Sequence, residues 1–242
     1  MMHHAEITQE PLFYLFVAFT ILLTLGYTWG KRRNKRLFVD AFEAIQAVLN
    51  PKDQQFTNIG GLTGYHANFV PKQNKFVRRV DATITLLPRQ SWLYYPFARL
   101  FGRFDRLYLV YHLSPKADGA IAEGHIIARK YSRAVGASIS NAEHLSKESV
   151  DWGGREYFLY YADRITREAL MRCRNQLEEP AEVRHIALVP SEQRVFVLMR
   201  PRVGEVGKVI DPLTTWVNGH VEERKAALKQ SQHEPAEQNN AR

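Results

Sequence analysis

The chain has 242 residues, 45% hydrophobic and 24% charged, with a net charge of +8. This composition excludes collagen-like, fully disordered and polytopic membrane classes, and the length allows one or two domains. A single Cys excludes an internal disulfide and a multi-thiolate metal site.

Pro11 to Gly30 is a run of twenty residues without a charge. Twenty helical residues span about 30 Å, roughly the hydrocarbon thickness of a bilayer. Tyr14 lies near one end of the run, and Tyr27 and Trp29 near the other, where amphipathic rings favour the membrane interface. A cleaved signal peptide fits poorly. The residues before the run carry Glu6 and Glu10 but no Lys or Arg, and no A-x-A site follows it. A buried core helix would show a polar face, and this run has none. Lys31, Arg32, Arg33, Lys35 and Arg36 come directly after it. The positive-inside rule then predicts a single-pass membrane protein with residues 1–10 outside or lumenal and residues 31–242 in the cytosol. Cys173 agrees with a reducing compartment. The five cations are also placed to meet anionic lipid head groups.

Leu37, Phe38, Ala41, Phe42, Ile45, Val48 and Leu49 follow a helical period, which predicts a juxtamembrane helix over 31–50, stopped at Asn50-Pro51. Residues 57–70 are glycine-rich and read as a loop leading into an edge strand. Residues 76–87 alternate, with Val80, Ala82, Ile84 and Leu86 on one side, which predicts a half-buried strand. Residues 91–104 place Leu93, Phe97, Leu100 and Phe101 on a helical stripe, with Pro96 in the first turn or at a break. Residues 105–113 alternate again, and 120–131 form a weaker strand-like run. A polar stretch covers 132–154. Residues 156–177 read as a helix carrying Phe158, Tyr161, Ala162, Ile165, Ala169 and Cys173, closed by Glu178-Glu179-Pro180. Strands over 183–189 and 195–199, joined by Pro190–Gln193, predict a hairpin. Asp211-Pro212 predicts a helix start, with a stripe from Leu213 through Leu228.

The fold class expected is α+β. A transmembrane helix (11–30) and a basic juxtamembrane helix (31–50) precede one cytosolic domain (51–208) with an antiparallel-type sheet and flanking helices. A C-terminal helix (209–230) and a fraying polar tail (231–242) follow it.

Few residues suggest chemistry. Cys173 lies between Arg172 and Arg174, whose charges would favour a thiolate, but a packed core thiol is the simpler reading. Asn58–Gly64 is glycine-rich yet lacks the Lys-Ser/Thr ending of a phosphate loop. The nine His show no ligand spacing, and Met1-Met2-His3-His4 reads as a tail. No catalytic residue, cofactor site or metal site is assigned, and a non-enzymatic role is expected. Between residues 72 and 106 the cations Lys72, Lys75, Arg78, Arg79, Arg89, Arg99, Arg103 and Arg106 face only Asp81 and Asp105. Such a stripe could contact phosphate of RNA or lipid, or form a solvated face. Trp92, Leu93, Tyr94, Tyr95 and Phe97 either pack in the core or form an exposed docking or membrane-interface element.

The order of features carries a resemblance. Gly30-Lys31, Asn34 and Arg36-Leu37 lead into a helix with Phe42 and Leu49, then Phe56 and Gly60-Gly61. Pro88-Arg89-Gln90 precedes Leu93 and Ala98-Arg99, and a strand holds Leu107, Leu109 and Tyr111. Phe158, Tyr161–Ile165 and Val195–Val197 complete the series. Together they resemble the calumin-like family of coiled-coil-containing endoplasmic reticulum membrane proteins, subunits of the PAT complex. The resemblance covers 12–224. It implies one membrane helix, a cytosolic α/β domain, and a role beside the Sec translocon and ribosome in the insertion of multipass proteins, as an intramembrane-chaperone cofactor. It implies ribosomal RNA, translocon subunits and a small membrane protein as partners. The family's acidic lumenal region is missing, so calcium binding does not carry over. Its basic coiled coil is cut down, with Glu222 and Glu223 mixed among Arg224, Lys225 and Lys229. The remaining expectations are an adaptor that binds a partner protein through the aromatic helix, and a membrane enzyme acting on lipids or nucleotides, which would need a deep polar pocket.

Overall fold

The computed structural model describes residues 11–135, 139, 142–177 and 182–239. The predicted outer tail (1–10) with Met1–His4, the Glu178–Pro180 helix stop and residues 240–242 lie outside these. Helix α1 runs unbroken over Pro11–Leu49, so the expected span and juxtamembrane helix are one 39-residue element. Its first half is long and apolar enough to cross a membrane, and none of its most apolar window is buried. From Gly30 onward one face turns inward: Gly30, Asn34, Leu37, Ala41, Phe42, Ile45 and Leu49 are buried at helical spacing.

The rest is one α+β unit. The strands are β1 Pro51–Asn58, β2 Gly64–Pro71, β3 Val77–Thr85, β4 Arg106–Leu113 and β5 Gly124–Ala128. They continue with β6 Ser146–Asp151, β7 Glu156–Tyr161, β8 Val183–Val189 and β9 Arg194–Met199. The helices are α2 Tyr95–Leu100, α3 Arg129–Val135, α4 Arg164–Gln176 and α5 Val206–Asn239. Among the described residues nine strands form a single sheet, in the order β1-β2-β3-β4-β9-β8-β5-β7-β6. Every neighbouring pair is antiparallel. The predicted β8–β9 hairpin inserts between β4 and β5, turning at Gln193 in the left-handed region.

One sheet face carries the core. Val80, Ala82 and Ile84 of β3 lie beside Leu107, Leu109 and Tyr111 of β4, with Val195, Val197 and Met199 of β9 next to them. The second half of α1, together with α5 and α4, covers this face. Residues 31–50, 51–208 and 209–230, expected as separate segments, therefore share one core. Helix α5 is tied to β4 by Tyr111 Oη and Thr214 Oγ1 at 3.1 Å, and to α4 by Trp216 Nε1 donating to the Ala169 carbonyl at 2.8 Å. The opposite face is polar over β2–β4, where His66 bonds Thr83 and Asn68, and His112 bonds Asp81.

Several expectations change. Residues 57–70 hold the end of β1, a turn and β2 rather than a loop. The polar stretch 132–154 contains β6, and the 120–131 strand shortens to β5. Both β1 and β6 are edge strands with mostly exposed side chains, so they lack the alternation that marks a half-buried strand. The helix expected over 156–177 begins late. Glu-Tyr-Phe-Leu-Tyr-Tyr is aromatic and pairs as β7, and Asp163 then caps α4 by accepting from the Thr166 N–H at 2.8 Å. Helix α5 starts at Val206, after Gly204 with φ +78°, so Pro212 lies inside it and Asp211 is no cap. The backbone stays helical to Asn239, where a frayed tail was expected.

Three features make this fold acid-sensitive. Burial holds the His185 imidazole down to about 3 and that of His220 to about 4. Both stay neutral in the native state, whereas an unfolded His takes a proton near pH 6.5. Stability is therefore complete above about pH 6.5 and falls as pH drops toward 4, because the unfolded chain binds more protons. Asp163 adds a lower window: burial would raise it, but bonds from Arg224 and Thr166 prevail and hold it at about 2. Its contribution is lost as pH falls from about 4 to 2. Thermal unfolding in detergent at pH 7.5, 5.5 and 4.5 should show this decline. His220→Phe, which keeps the stack on Trp216, should flatten it; an unchanged slope would contradict the assignment.

Candidate functional site at the α1 end of the sheet

The strands β2, β3, β4 and β9 meet α1 at the end where its apolar half leaves the domain. A buried polar network fixes this junction. Arg89 donates to both oxygens of Asp105, from Nη1 at 2.8 Å and Nη2 at 2.5 Å, and the two side chains are only 5% and 4% exposed. Asp105 also accepts the Leu87 N–H at 2.8 Å. From α1, Asn34 Oδ1 accepts from Arg89 Nη1 at 2.9 Å, and Asn34 Nδ2 donates to the Leu87 carbonyl at 2.9 Å and the Leu62 carbonyl at 3.1 Å. Burial alone would lower the Arg89 pKa, but the Asp105 carboxylate outweighs it and raises it. The glycine turn Asn58–Gly64, whose Leu62 joins this network, is thus a hairpin connection packed on α1 and not a phosphate loop.

Two glycines of α1 allow close approach. A Cβ at Gly30 would overlap the Arg89 carbonyl group, and one at Gly26 would lie 2.8 Å from Trp92 Cγ. Gly26 belongs to the apolar run, so Trp92 touches α1 inside its uncharged half. Helix α2 therefore sits beside that half. It is only six residues long and buries only Ala98. The stripe expected from sequence points outward: Leu93, Phe97, Leu100 and Phe101 are all exposed, Leu100 at 81% and Phe101 at 77%. Trp92 and Tyr94 are exposed as well, while Tyr95 is half-buried under the Arg89 guanidinium. The segment is thus exposed rather than packed in the core.

The predicted interface residues of α1, Tyr14, Tyr27, Trp29, Lys31, Arg32, Arg33, Lys35 and Arg36, are all exposed. Arg33 stacks over Trp29, 5.4 Å from the ring centre. The basic stretch, by contrast, is not one surface. Lys72 and Lys75 occupy the β2–β3 turn at the far end of the sheet, where Lys75 pairs with Glu222 of α5. Arg99, Arg103 and Arg106 lie at the α1 end. The nine residues of β3 separate the two groups by about 27 Å. Arg78 is exposed near the far end; Arg79 pairs with Asp81 at 2.8 Å, and Arg106 lies over Phe104. Arg89 is corrected outright: it is enclosed in the network above and unavailable to an outside phosphate. Sequence reasoning missed Arg200 and Arg202, which join Arg32, Arg33 and Arg36 around one cleft. They are distant in sequence and only the fold brings them together.

Groups elsewhere belong to packing. Cys173 is fully buried in the core cluster, and burial pushes its thiol up, away from the thiolate that Arg172 and Arg174 would favour. Among the described residues no group of three or more His, Cys, Asp or Glu could hold a metal ion.

The fold and site define a class: an α+β domain with a nine-stranded antiparallel sheet, a protruding apolar helix, and an exposed apolar segment beside that helix. No protein-family model matches the chain, and a search of curated proteins finds no match.

Removing one partner of a buried ion pair leaves an uncompensated charge, at a cost of about 3–5 kcal/mol. Asp105→Ala should therefore destabilise the detergent-solubilised protein by about that amount. Lys75→Ala, which breaks an exposed pair, should have a far smaller effect. Denaturant unfolding followed by circular dichroism measures both, and similar losses would contradict the junction's role.

Proposed function

We propose that the chain is a single-pass, membrane-anchored, non-enzymatic factor of membrane-protein biogenesis that works as an adaptor at the cytosolic bilayer surface. The anchor is the apolar half of α1, with residues 1–10 on the outer or lumenal side. The cluster Lys31–Arg36 supports that orientation. The observation that carries the adaptor reading is the exposed apolar segment around α2. Leu93, Phe97, Leu100 and Phe101 are exposed in the segment that Trp92 holds against Gly26 of the apolar run. Exposed apolar side chains clustered in this way mark a contact site. At this depth the matching partner is a membrane-embedded helix of another protein.

The resemblance to calumin-like proteins gives the adaptor its context: a translocon subunit or a client during insertion. Ribosomal RNA is the weaker part of that context, because the far-end cations Lys72, Lys75 and Arg78 form a small group and Lys75 is already paired. An enzyme reading has less support. The strongly shifted groups Cys173, His185 and His220 are enclosed in packing and do not line a deep polar pocket.

A photo-crosslinking residue at Phe97 or Phe101, in the full chain in native membranes, tests the reading. The expected result is the same integral membrane protein crosslinked from both positions, and no such adduct from Lys72. Adducts with lipid alone, or equal protein labelling at Lys72, would overturn it.

A further inference from the structure

An open cleft of about 720 Å³ lies between α1 and the connection from β9 to α5. Six arginines line it, with one carboxylate, Asp105. That carboxylate is committed to Arg89. Arg202 is matched by Glu182 at 2.7 Å, and Arg33 is turned over Trp29. Asp40, one turn beyond Arg36, accepts the Gly204 N–H at 2.9 Å. Arg32, Arg36 and Arg200 are then left without a carboxylate partner among the described residues. Arg32 and Arg36 are four residues apart on α1, so they share a helix face, and Arg200 meets them from the end of β9. Guanidinium groups gathered in a concave site attract an anion, and their planar forks match the oxygens of phosphate.

Depth selects the source of that phosphate. Trp29 is the last aromatic of the apolar run and lines the same cleft. Arg32 follows the run's last residue by about 3 Å of helix rise. If the apolar half of α1 spans the bilayer, the cleft lies in the layer of lipid head groups, with acyl chains alongside α1. We infer that the cleft formed by Arg32, Arg36 and Arg200 binds the phosphate head group of an anionic phospholipid. This rests on the membrane placement proposed above but not on the α2 contact. The site joins two elements, so a lipid held there fastens the β9–α5 connection to the anchor helix. It also adds a binding function that the run of cations after the anchor does not by itself specify.

Native mass spectrometry of the whole 242-residue chain in detergent tests this, with added phosphatidylglycerol or phosphatidylcholine. The expected result is retention of one phosphatidylglycerol at least tenfold better than phosphatidylcholine. Arg36→Gln with Arg200→Gln should lose most of this preference, with the circular dichroism spectrum unchanged. Arg99→Gln with Arg103→Gln removes the same charge from the α2 region and should leave it intact. Equal losses in the two double variants, or no preference for the anionic lipid, would overturn the site. Full competition by millimolar glycerol phosphate, or displacement by a short single-stranded RNA, would overturn the lipid as its ligand. Carbonate extraction of the wild-type protein from membranes tests the placement separately. A protein released by carbonate defeats the membrane reading itself, whereas an integral protein without lipid preference defeats only this inference.

Discussion

Arg89 and Asp105 bring two full charges into the protein interior, and Asn34 of α1 accepts a further hydrogen bond from the guanidinium. Such a pair is tolerated only when nearly every lone pair and proton is matched, because desolvation of either ion alone costs several kcal/mol. The match requires three segments at once: α1 at Asn34, the Leu87–Arg89 turn after β3, and the start of β4 at Asp105. The network therefore sets where α1 crosses the end of the sheet. It also fixes both ends of the 89–105 segment that carries α2. The same crossing borders the arginine-lined cleft, whose lining includes Arg89 and Asp105 themselves. One polar junction thus positions the apolar half of α1, the exposed aromatic segment and the cleft relative to one another.

Packing then makes the junction rigid. Gly30 and Gly26 let the backbone and Trp92 approach α1 closely, and the buried stripe from Leu37 to Leu49 continues the contact along the sheet. Each fully buried apolar side chain in that stripe contributes roughly 1.5–3 kcal/mol. Helix α5 runs beside α1 and leaves the sheet at the opposite end, where Glu222 meets Lys75. The molecule is consequently polarised, with apolar and arginine-rich features at one end and a polar helix leaving the other.

The central strands were legible because β3 and β4 alternate between a packed face and a solvated or polar one, and the β8–β9 turn has its own chemistry at Pro190–Gln193. The edge strands β1 and β6 were not, since their polar side chains are exposed on both faces and carry no period. Glu156–Tyr161 was misread because its apolar residues also fit a helical stripe when joined to α4, and only pairing with β5 and β6 decides between the two. At the candidate site, the apolar run and its flanking cations could be read directly. The fate of each arginine could not. Arg89 and Arg99 look alike in a charge count, yet one is enclosed by Asp105 and Asn34 while the other is exposed. Arg200 lies far in sequence from Arg32 and Arg36, so their cleft exists only in three dimensions. Periodicity puts Leu93, Phe97, Leu100 and Phe101 on one stripe but does not say which way it faces; a six-residue helix resting on Ala98 has too little length to bury it.

In the proposed membrane placement, the junction holds the segment around α2 at the depth of the bilayer interface. Nitroxide labels at Leu100→Cys and Lys72→Cys, in the full chain reconstituted into vesicles, measure that depth through collisions with oxygen and with a water-soluble nickel complex. The expected result is a lipid-like signature at position 100, with oxygen favoured over nickel, and a water-like signature at position 72. Equal, water-like accessibility at both positions would contradict it.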